Sequence, residues 1–215
     1  MRNLIIKEFR LNINPFSYAW LLMGALLLIP TWPFFIAVGY CFFFFMLITQ
    51  IDKANQDLAF ALSLPVPKSR IVLARALTMV IVEAAMLVLC APFAIARYYI
   101  YPDGNTIGMN TNLAFFALML VMFAVFNAIF LPGAYKAAYR ILWPMLGGSV
   151  IAAVVGGGLT TLVPFQPWLA ARFNDRGLGE PGWQLGLFLV GVLVFAASWF
   201  LSYRKAVANF GKVDL

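Results

Sequence analysis

The chain contains an uninterrupted stretch of 41 residues without a charged side chain, from Leu11 to Ile51. A helix needs about 20 apolar residues to cross the roughly 30 Å hydrocarbon core of a bilayer. The stretch is long enough for two crossings. Pro30 and Pro33 lie near its middle, where a turn is expected because proline interrupts a helix. It therefore predicts two consecutive membrane spans.

The composition extends this interpretation to the whole chain. Of its 215 residues, 64% are hydrophobic and 11% charged, with a mean hydropathy of +0.91. Soluble domains are far less apolar. We therefore expect an all-α polytopic membrane protein, with residues 1–215 as a single transmembrane domain. The predicted spans are about 16–30, 33–51, 73–96, 112–132, 142–163 and 183–203.

The basic residues predict how the spans are oriented. Twelve of the fifteen lie in four segments that fall on one side of the predicted spans, and only Arg97, Arg172 and Arg176 lie on the other side. Lys and Arg concentrate on the cytoplasmic side of membrane proteins. Both termini are therefore predicted to be cytoplasmic. The net charge of +7 follows from this topology, so no nucleic-acid partner is expected. The four basic-rich segments are 1–15, 52–75, 133–141 and 204–215.

Residues 1–15 alternate apolar and charged side chains near helical spacing. Such a helix can lie flat in the cytoplasmic interface of the membrane. The alternative is a simple cytoplasmic extension of the first span. The predicted bend at Asn12, Asn14 and Pro15 favours the interfacial helix.

Residues 55–77 form the longest polar interruption in the middle of the chain. A helix is predicted over 50–63, ended by Pro65, with Pro67 extended before the next helix. The apolar run at 58–64 within this loop would be exposed unless it packs on lipid headgroups or on a partner. The simpler alternative is a polar linker whose basic side chains reach the membrane interface. Such a linker would not need the apolar run at 58–64.

The string DLAFALSLPVPKSRIVLARAL at 57–77 resembles a segment of small ABC-2 type transporter permeases, the membrane subunits of bacterial ATP-binding-cassette exporters. The resemblance implies an amino-terminal interfacial helix, six spans and a cytoplasmic coupling loop at 55–70. In that family a coupling helix after span 2 docks in a groove of a separate ATPase. The docking residues it implies here are Asp57, Leu58, Phe60, Ala61, Leu62, Leu64, Pro65, Lys68 and Arg70.

The resemblance also implies which partner proteins this chain binds and which chain carries the cofactors. The glycine clusters at 147–148 and 156–158 lack the GxxxxGK[ST] order of a phosphate-binding loop. We therefore expect no cofactor in this chain and no enzymatic activity of its own, with ATP and Mg bound to the partner ATPase. The chain has no histidine, so we expect no metal site. Implied partners are the ATPase, a second permease copy or similar chain, and the lipid bilayer, in the bacterial cytoplasmic (inner) membrane.

Two sets of side chains within the spans are further candidates. Glu83 is the only ionisable residue well inside a span, where such residues are costly and often functional; the alternative is that it reaches water or pairs with a polar neighbour. Asn127 is a possible hydrogen-bond partner. The resemblance places spans 2 and 5 near the dimer axis, which makes these residues candidates for the substrate pathway: Phe42, Phe45, Met46, Thr49, Ser149 and Thr160.

The function predicted from these features is the permease subunit of an ATP-driven exporter. Its uncharged, aromatic-rich spans fit a hydrophobic or amphipathic substrate, such as a peptide, a lipid or a drug-like molecule. A non-transporting scaffold or an ion-conducting subunit that recruits a soluble partner is the alternative. An intramembrane enzyme is disfavoured, because histidine, a GxSxG motif and a pair of intramembrane aspartates are all missing.

Overall fold

The computed structural model describes residues 1–63, 65–105, 107–136 and 141–212, without the side chain of Leu58. Within these ranges the protein is helical and has no strand. Five helical segments of the described chain are long and apolar enough to cross a membrane, one of them the combined segment Phe34–Ala54, and the bent pair at the amino terminus makes six if it is counted as one span. The α-helices are α1 (Arg2–Lys7), α2 (Phe34–Gly39), α3 (Cys41–Ala54), α4 (Asp57–Ser63), α5 (Lys68–Ile100), α6 (Leu113–Lys136), α7 (Leu142–Phe165), α8 (Pro167–Phe173) and α9 (Pro181–Gly211).

The amino-terminal segment is bent. Helix α1 continues as a π-helical turn over Glu8–Asn12, and a 3₁₀ helix over Pro15–Leu28 follows at an angle of 88°. The Asn14 side chain caps the 3₁₀ helix by accepting the N–H of Phe16 at 2.9 Å. At about 2.0 Å per residue, fourteen residues of 3₁₀ helix extend about 28 Å, close to the thickness of the hydrocarbon core. The bend fits a helix lying on the membrane surface before a crossing, which remains a prediction.

The 3₁₀ helix packs on α5 through a stripe with a spacing of three residues. Leu21, Gly24 and Leu27 are buried along it, as expected for a helix with three residues per turn, and Ser17 is buried four residues before Leu21. Gly24 allows the closest approach, because a Cβ there would lie 2.9 Å from Sγ of Cys90 on α5. The spacing of the stripe therefore matches the type of helix.

Arg97 of α5 holds the carboxyl end of the 3₁₀ helix. Its guanidinium donates to the backbone carbonyls of Leu27 at 3.0 Å, Ile29 at 3.1 Å and Pro30 at 3.3 Å. A fourth hydrogen bond reaches the Gly104 carbonyl at 3.1 Å. The last carbonyls of a helix lack intrahelical donors and carry partial negative charge, so a cation there is stabilising. Arg97 is thus a buried structural residue.

Helix α6 lies at the centre of the bundle, with α9 and α7 packed against it. Small residues allow these contacts, as is common between membrane helices. A Cβ at Gly191 of α9 would lie 2.8 Å from the Ala117 carbonyl of α6, and one at Gly156 of α7 would lie 2.6 Å from Sδ of Met122. Helix α7 is continuous through the glycine cluster at 156–158, in which Gly156 and Gly157 allow close packing of neighbouring side chains.

Two helices continue past prolines at which the sequence analysis ends the spans. Helix α6 passes through Pro132 to Lys136, and α7 passes through Pro164 to Phe165. Proline is tolerated inside membrane helices when neighbouring groups compensate for the missing N–H. Independently of that missing N–H, the Asn209 side chain of α9 donates to the Pro132 carbonyl at 2.8 Å, which ties the end of α6 to α9.

Candidate functional site

The short helix α4 lies between α3 and α5, where the sequence predicts one helix over 50–63. The structure divides this segment at Asn55 and Gln56, since α3 ends at Ala54 and α4 begins at Asp57. Gln56 has a φ of 49°, a left-handed conformation that a continuous helix does not contain. The break lets α4 leave the axis of α3, so α4 forms a separate element at the end of the bundle.

A cluster of buried charges anchors α4 to three other elements. Arg75 of α5 contacts Glu8 of the π-helical turn at 2.8 Å, Asp52 of α3, and Asp57 of α4 at 3.8 Å. Lys7 of α1 contacts Asp57 at 2.5 Å and Glu8 at 3.3 Å. All five side chains are between 5% and 14% exposed. We call these five residues the charge cluster.

The charge cluster carries three carboxylates and two cations, with almost no access to solvent. Buried charges are costly unless they are paired, and removal of one partner leaves the others uncompensated. Asn12 adds a donor to Glu8 at 3.3 Å, and a cavity of about 60 Å³ borders the cluster. The arrangement links α1, the π-helical turn, α3, α4 and α5 through ion pairs.

The predicted docking residues lie on opposite faces of this region. Asp57 and Ala61 are buried, which makes them the inner, anchoring face of α4. Phe60 is 49% exposed and lies on the other face of α4. Leu62 is partly buried against the core. Leu64 and the side chain of Leu58 lie outside the described part of the chain, and Pro65 and Arg70 are exposed.

Lys68, at the start of α5, contacts the last turn of α9. Its ammonium donates to the Phe210 carbonyl at 3.4 Å and lies 5.4 Å from the centre of the Phe210 ring. Lys68 therefore takes part in the packing of α5 against α9, on the same end of the bundle as α4.

The predicted pathway residues do not form one group. Phe42 and Met46 of α3 and Ser149 of α7 line the same groove, of about 330 Å³, between α2–α3 and α7. Its described lining contains no charged residue. The other three predicted residues lie elsewhere: Phe45 stacks on Phe126, Thr49 borders the charge cluster, and Thr160 lines a separate cavity of about 210 Å³.

Glu83 of α5 and Asn127 of α6 meet inside the bundle. The Asn127 amide donates to Oε2 of Glu83 at 3.0 Å, and Glu83 is 1% exposed. Oε1 of Glu83 and Oδ1 of Asn127 have no hydrogen-bond partner among the described residues. Neither residue lines the groove, so the structure places this pair in the packing of α5 against α6.

A family model described as ABC-2 family transporter protein matches residues 3–206. The chain belongs to the ABC-2 family of transporter proteins. It is therefore a multi-pass membrane protein of a transport system, which confirms the resemblance found at 57–77. No curated protein and no solved structure matches the chain.

The charge cluster is the part of this ABC-2 protein that the sequence analysis missed, apart from Asp57. One signal was present: Arg75 lies within the apolar run at 71–82, IVLARALTMVIV. An arginine near the start of a span either reaches the interface or has buried partners, so this signal alone did not distinguish the two. The partners of Arg75 are spread over Glu8, Asp52 and Asp57, and only the tertiary structure brings these carboxylates together.

Proposed function

We propose that this chain is the permease subunit of an ATP-driven exporter, powered by a separate ATPase that docks on α4. The family places the chain in a transport system. The observation that supports the docking site is the division of α4 into two faces. Asp57 is fixed in the charge cluster, while Phe60 projects half exposed on the other side. Aromatic side chains, phenylalanine among them, are enriched at protein–protein interfaces, so a half-exposed phenylalanine on an anchored helix supports a docking surface there.

The proposal includes an orientation and a mode of coupling. The end of the bundle with α4 faces the cytoplasm, both termini are cytoplasmic, and the membrane is the bacterial inner membrane. ATP and Mg bind to the ATPase, and two permease chains form the complex. Movement of the docked α4 passes through Asp57 to Arg75 and hence to α5, as in a rigid-body transition in which a packed element shifts between two positions.

The proposed substrate is hydrophobic or amphipathic. The groove between α2–α3 and α7 supports this proposal, because its described lining is uncharged and rich in aromatic side chains. Phe42, Met46 and Ser149 are the pathway residues that we assign to it. An ionic substrate would require polar groups that compensate for lost hydration.

The docking proposal is tested with Phe60→Asp in the full chain, reconstituted with the ATPase that copurifies with it. Loss of a hot-spot aromatic weakens binding by about 2 kcal/mol or more, or about 30-fold. We expect Phe60→Asp to abolish stimulation of ATP hydrolysis, with its thermal midpoint unchanged because Phe60 is half exposed. Phe60→Tyr, which keeps the ring, is the matched control and should retain stimulation.

Two results would contradict the proposal. Equal stimulation by Phe60→Asp and the wild type would exclude α4 as the docking element. An ATPase that binds through α4, with a turnover that does not respond to the permease, would favour a scaffold that only recruits its partner.

A further inference from the structure

A second groove lies at the end of the bundle opposite the charge cluster, between α5, the start of α6 and α9. Its volume is about 600 Å³, larger than that of the groove assigned to the substrate. On α5 its lining runs from Leu87 to Tyr99 at spacings of one, three and four residues, which place these side chains on one helical face. Twelve residues of α-helix extend about 18 Å. The groove is therefore a long furrow parallel to the helix axes.

The two ends of the furrow differ in chemistry. Its inner part is formed by aliphatic and aromatic side chains, among them Leu87, Ala91 and Phe188. Its outer part holds the rings of Tyr98 and Tyr99 and the guanidinium of Arg176. Tyrosine is enriched where membrane proteins meet the headgroup layer. The polar end of the furrow thus lies at the interface and the apolar end in the hydrocarbon.

Arg176 is held in place at the mouth of the furrow. Its Nη2 donates to the Tyr98 carbonyl at 3.0 Å, and the guanidinium lies 5.3 Å from the centre of the Tyr98 ring. The neighbouring Asp175 accepts the backbone N–H of Arg176 at 2.8 Å, and the two side chains form no ion pair among the described residues. Arg176 is the single charged residue in the described lining, which contains no carboxylate. An anion at this end would meet a fixed positive charge.

We propose that this furrow binds an anionic phospholipid, with one acyl chain along α5 and the phosphate beside Arg176. The length of about 18 Å fits one leaflet, since half of a 30 Å hydrocarbon core is about 15 Å. Guanidinium groups bind phosphate with two parallel hydrogen bonds, and most of the five N–H donors of Arg176 are available for this. The tyrosine hydroxyls supply further donors. The site is independent of the proposed ATPase docking.

The experiment measures lipid retention by the full-length protein. The chain is reconstituted in nanodiscs that contain equal parts of phosphatidylglycerol and phosphatidylcholine. The protein is then released from the nanodiscs in the mass spectrometer, and the lipids that stay bound to it are counted by native mass spectrometry. We expect the wild type to retain phosphatidylglycerol about fivefold over phosphatidylcholine, the contribution of one cation near a membrane surface. Arg176→Gln should remove this preference while one lipid remains bound.

Ala91→Trp tests the acyl-chain part of the site, because the indole would fill the inner furrow. We expect retention of both lipids to fall at least fivefold. Ile81→Trp on the same helix is the matched control, since Ile81 is exposed and does not line the furrow. The Ile81→Trp variant should retain as much lipid as the wild type. Equal retention by Ala91→Trp and Ile81→Trp would overturn the proposal. So would a wild type without preference for phosphatidylglycerol, a result that does not depend on the folding of any variant.

Discussion

Replacement of Arg75 by methionine tests whether the charge cluster holds the α4 region together. Methionine keeps the length of the aliphatic stem and removes the cation. Glu8, Asp52 and Asp57 would then share their site with Lys7 alone, and the formal charge of the cluster would change from −1 to −2. All these carboxylates are about nine-tenths buried, so water cannot replace the guanidinium without opening the packing.

The expected loss in free energy of unfolding is about 3–5 kcal/mol, the usual cost of removing one partner of a buried ion pair. For a chain of this length 1 kcal/mol corresponds to about 2–4 °C in the melting midpoint, so the midpoint should fall by about 6–20 °C. The assay is thermal unfolding of the purified protein in one detergent. Arg70→Met is the control, because Arg70 is exposed on the same helix and forms no ion pair within the described residues. It should shift stability by less than about 0.5 kcal/mol.

A second substitution separates loss of charge pairing from loss of volume. Asp52 has Arg75 as its ionic partner, so Asp52→Asn in the Arg75→Met background should recover part of the stability. A coupling free energy of about 0.5–3 kcal/mol between the two substitutions is expected. Equal midpoints for Arg75→Met and Arg70→Met, or strict additivity in the double variant, would refute the reasoning.

Two further predictions concern the interior of the bundle. Glu83→Gln should be tolerated, because the glutamine amide oxygen still accepts a hydrogen bond from Asn127. Glu83→Leu leaves the Asn127 donor unpaired and should lower the free energy of unfolding by about 1–3 kcal/mol. Equal melting midpoints of the two variants would contradict this prediction. Gly191→Ala should cost about 1–3 kcal/mol, since the added Cβ would lie 2.8 Å from the Ala117 carbonyl. Gly186→Ala on the same helix meets no atom within 4 Å and should be neutral or stabilising when both are compared by thermal unfolding, because alanine favours the helix over glycine. A matching loss at Gly186 would show that the loss at Gly191 does not come from packing on α6.

The sequence predicts the helical membrane architecture well, because hydrocarbon thickness alone sets the length of the apolar runs. The ABC-2 resemblance at 57–77 was likewise recognisable and is confirmed by the family match. The 3₁₀ form of residues 15–28 was not predictable. Nearly every position there is apolar, so the pattern has no contrast that distinguishes a period of 3.0 from one of 3.6.

The role of Asp57 shows a second limit of sequence reasoning. The resemblance to ABC-2 permeases implied that Asp57 is a docking contact. In the structure its carboxylate points inward to Lys7 and Arg75, residues 50 and 18 positions away in the chain. Pairing over such distances depends on how the helices pack, which local patterns do not encode. Phe60 beside it is exposed, and its docking role stays a prediction.

The three-residue stripe of the 3₁₀ helix limits how the length of this segment can change in related sequences. One inserted residue would turn everything beyond it by about a third of a turn, and Leu27 would leave the line that Leu21 and Gly24 form on α5. An insertion of three residues would restore that line but displace the helix end by about 6 Å. The carbonyls of Leu27 and Ile29 would then be carried past Arg97. Relatives that keep both contacts should therefore show neither insertions nor deletions between Asn14 and Pro30.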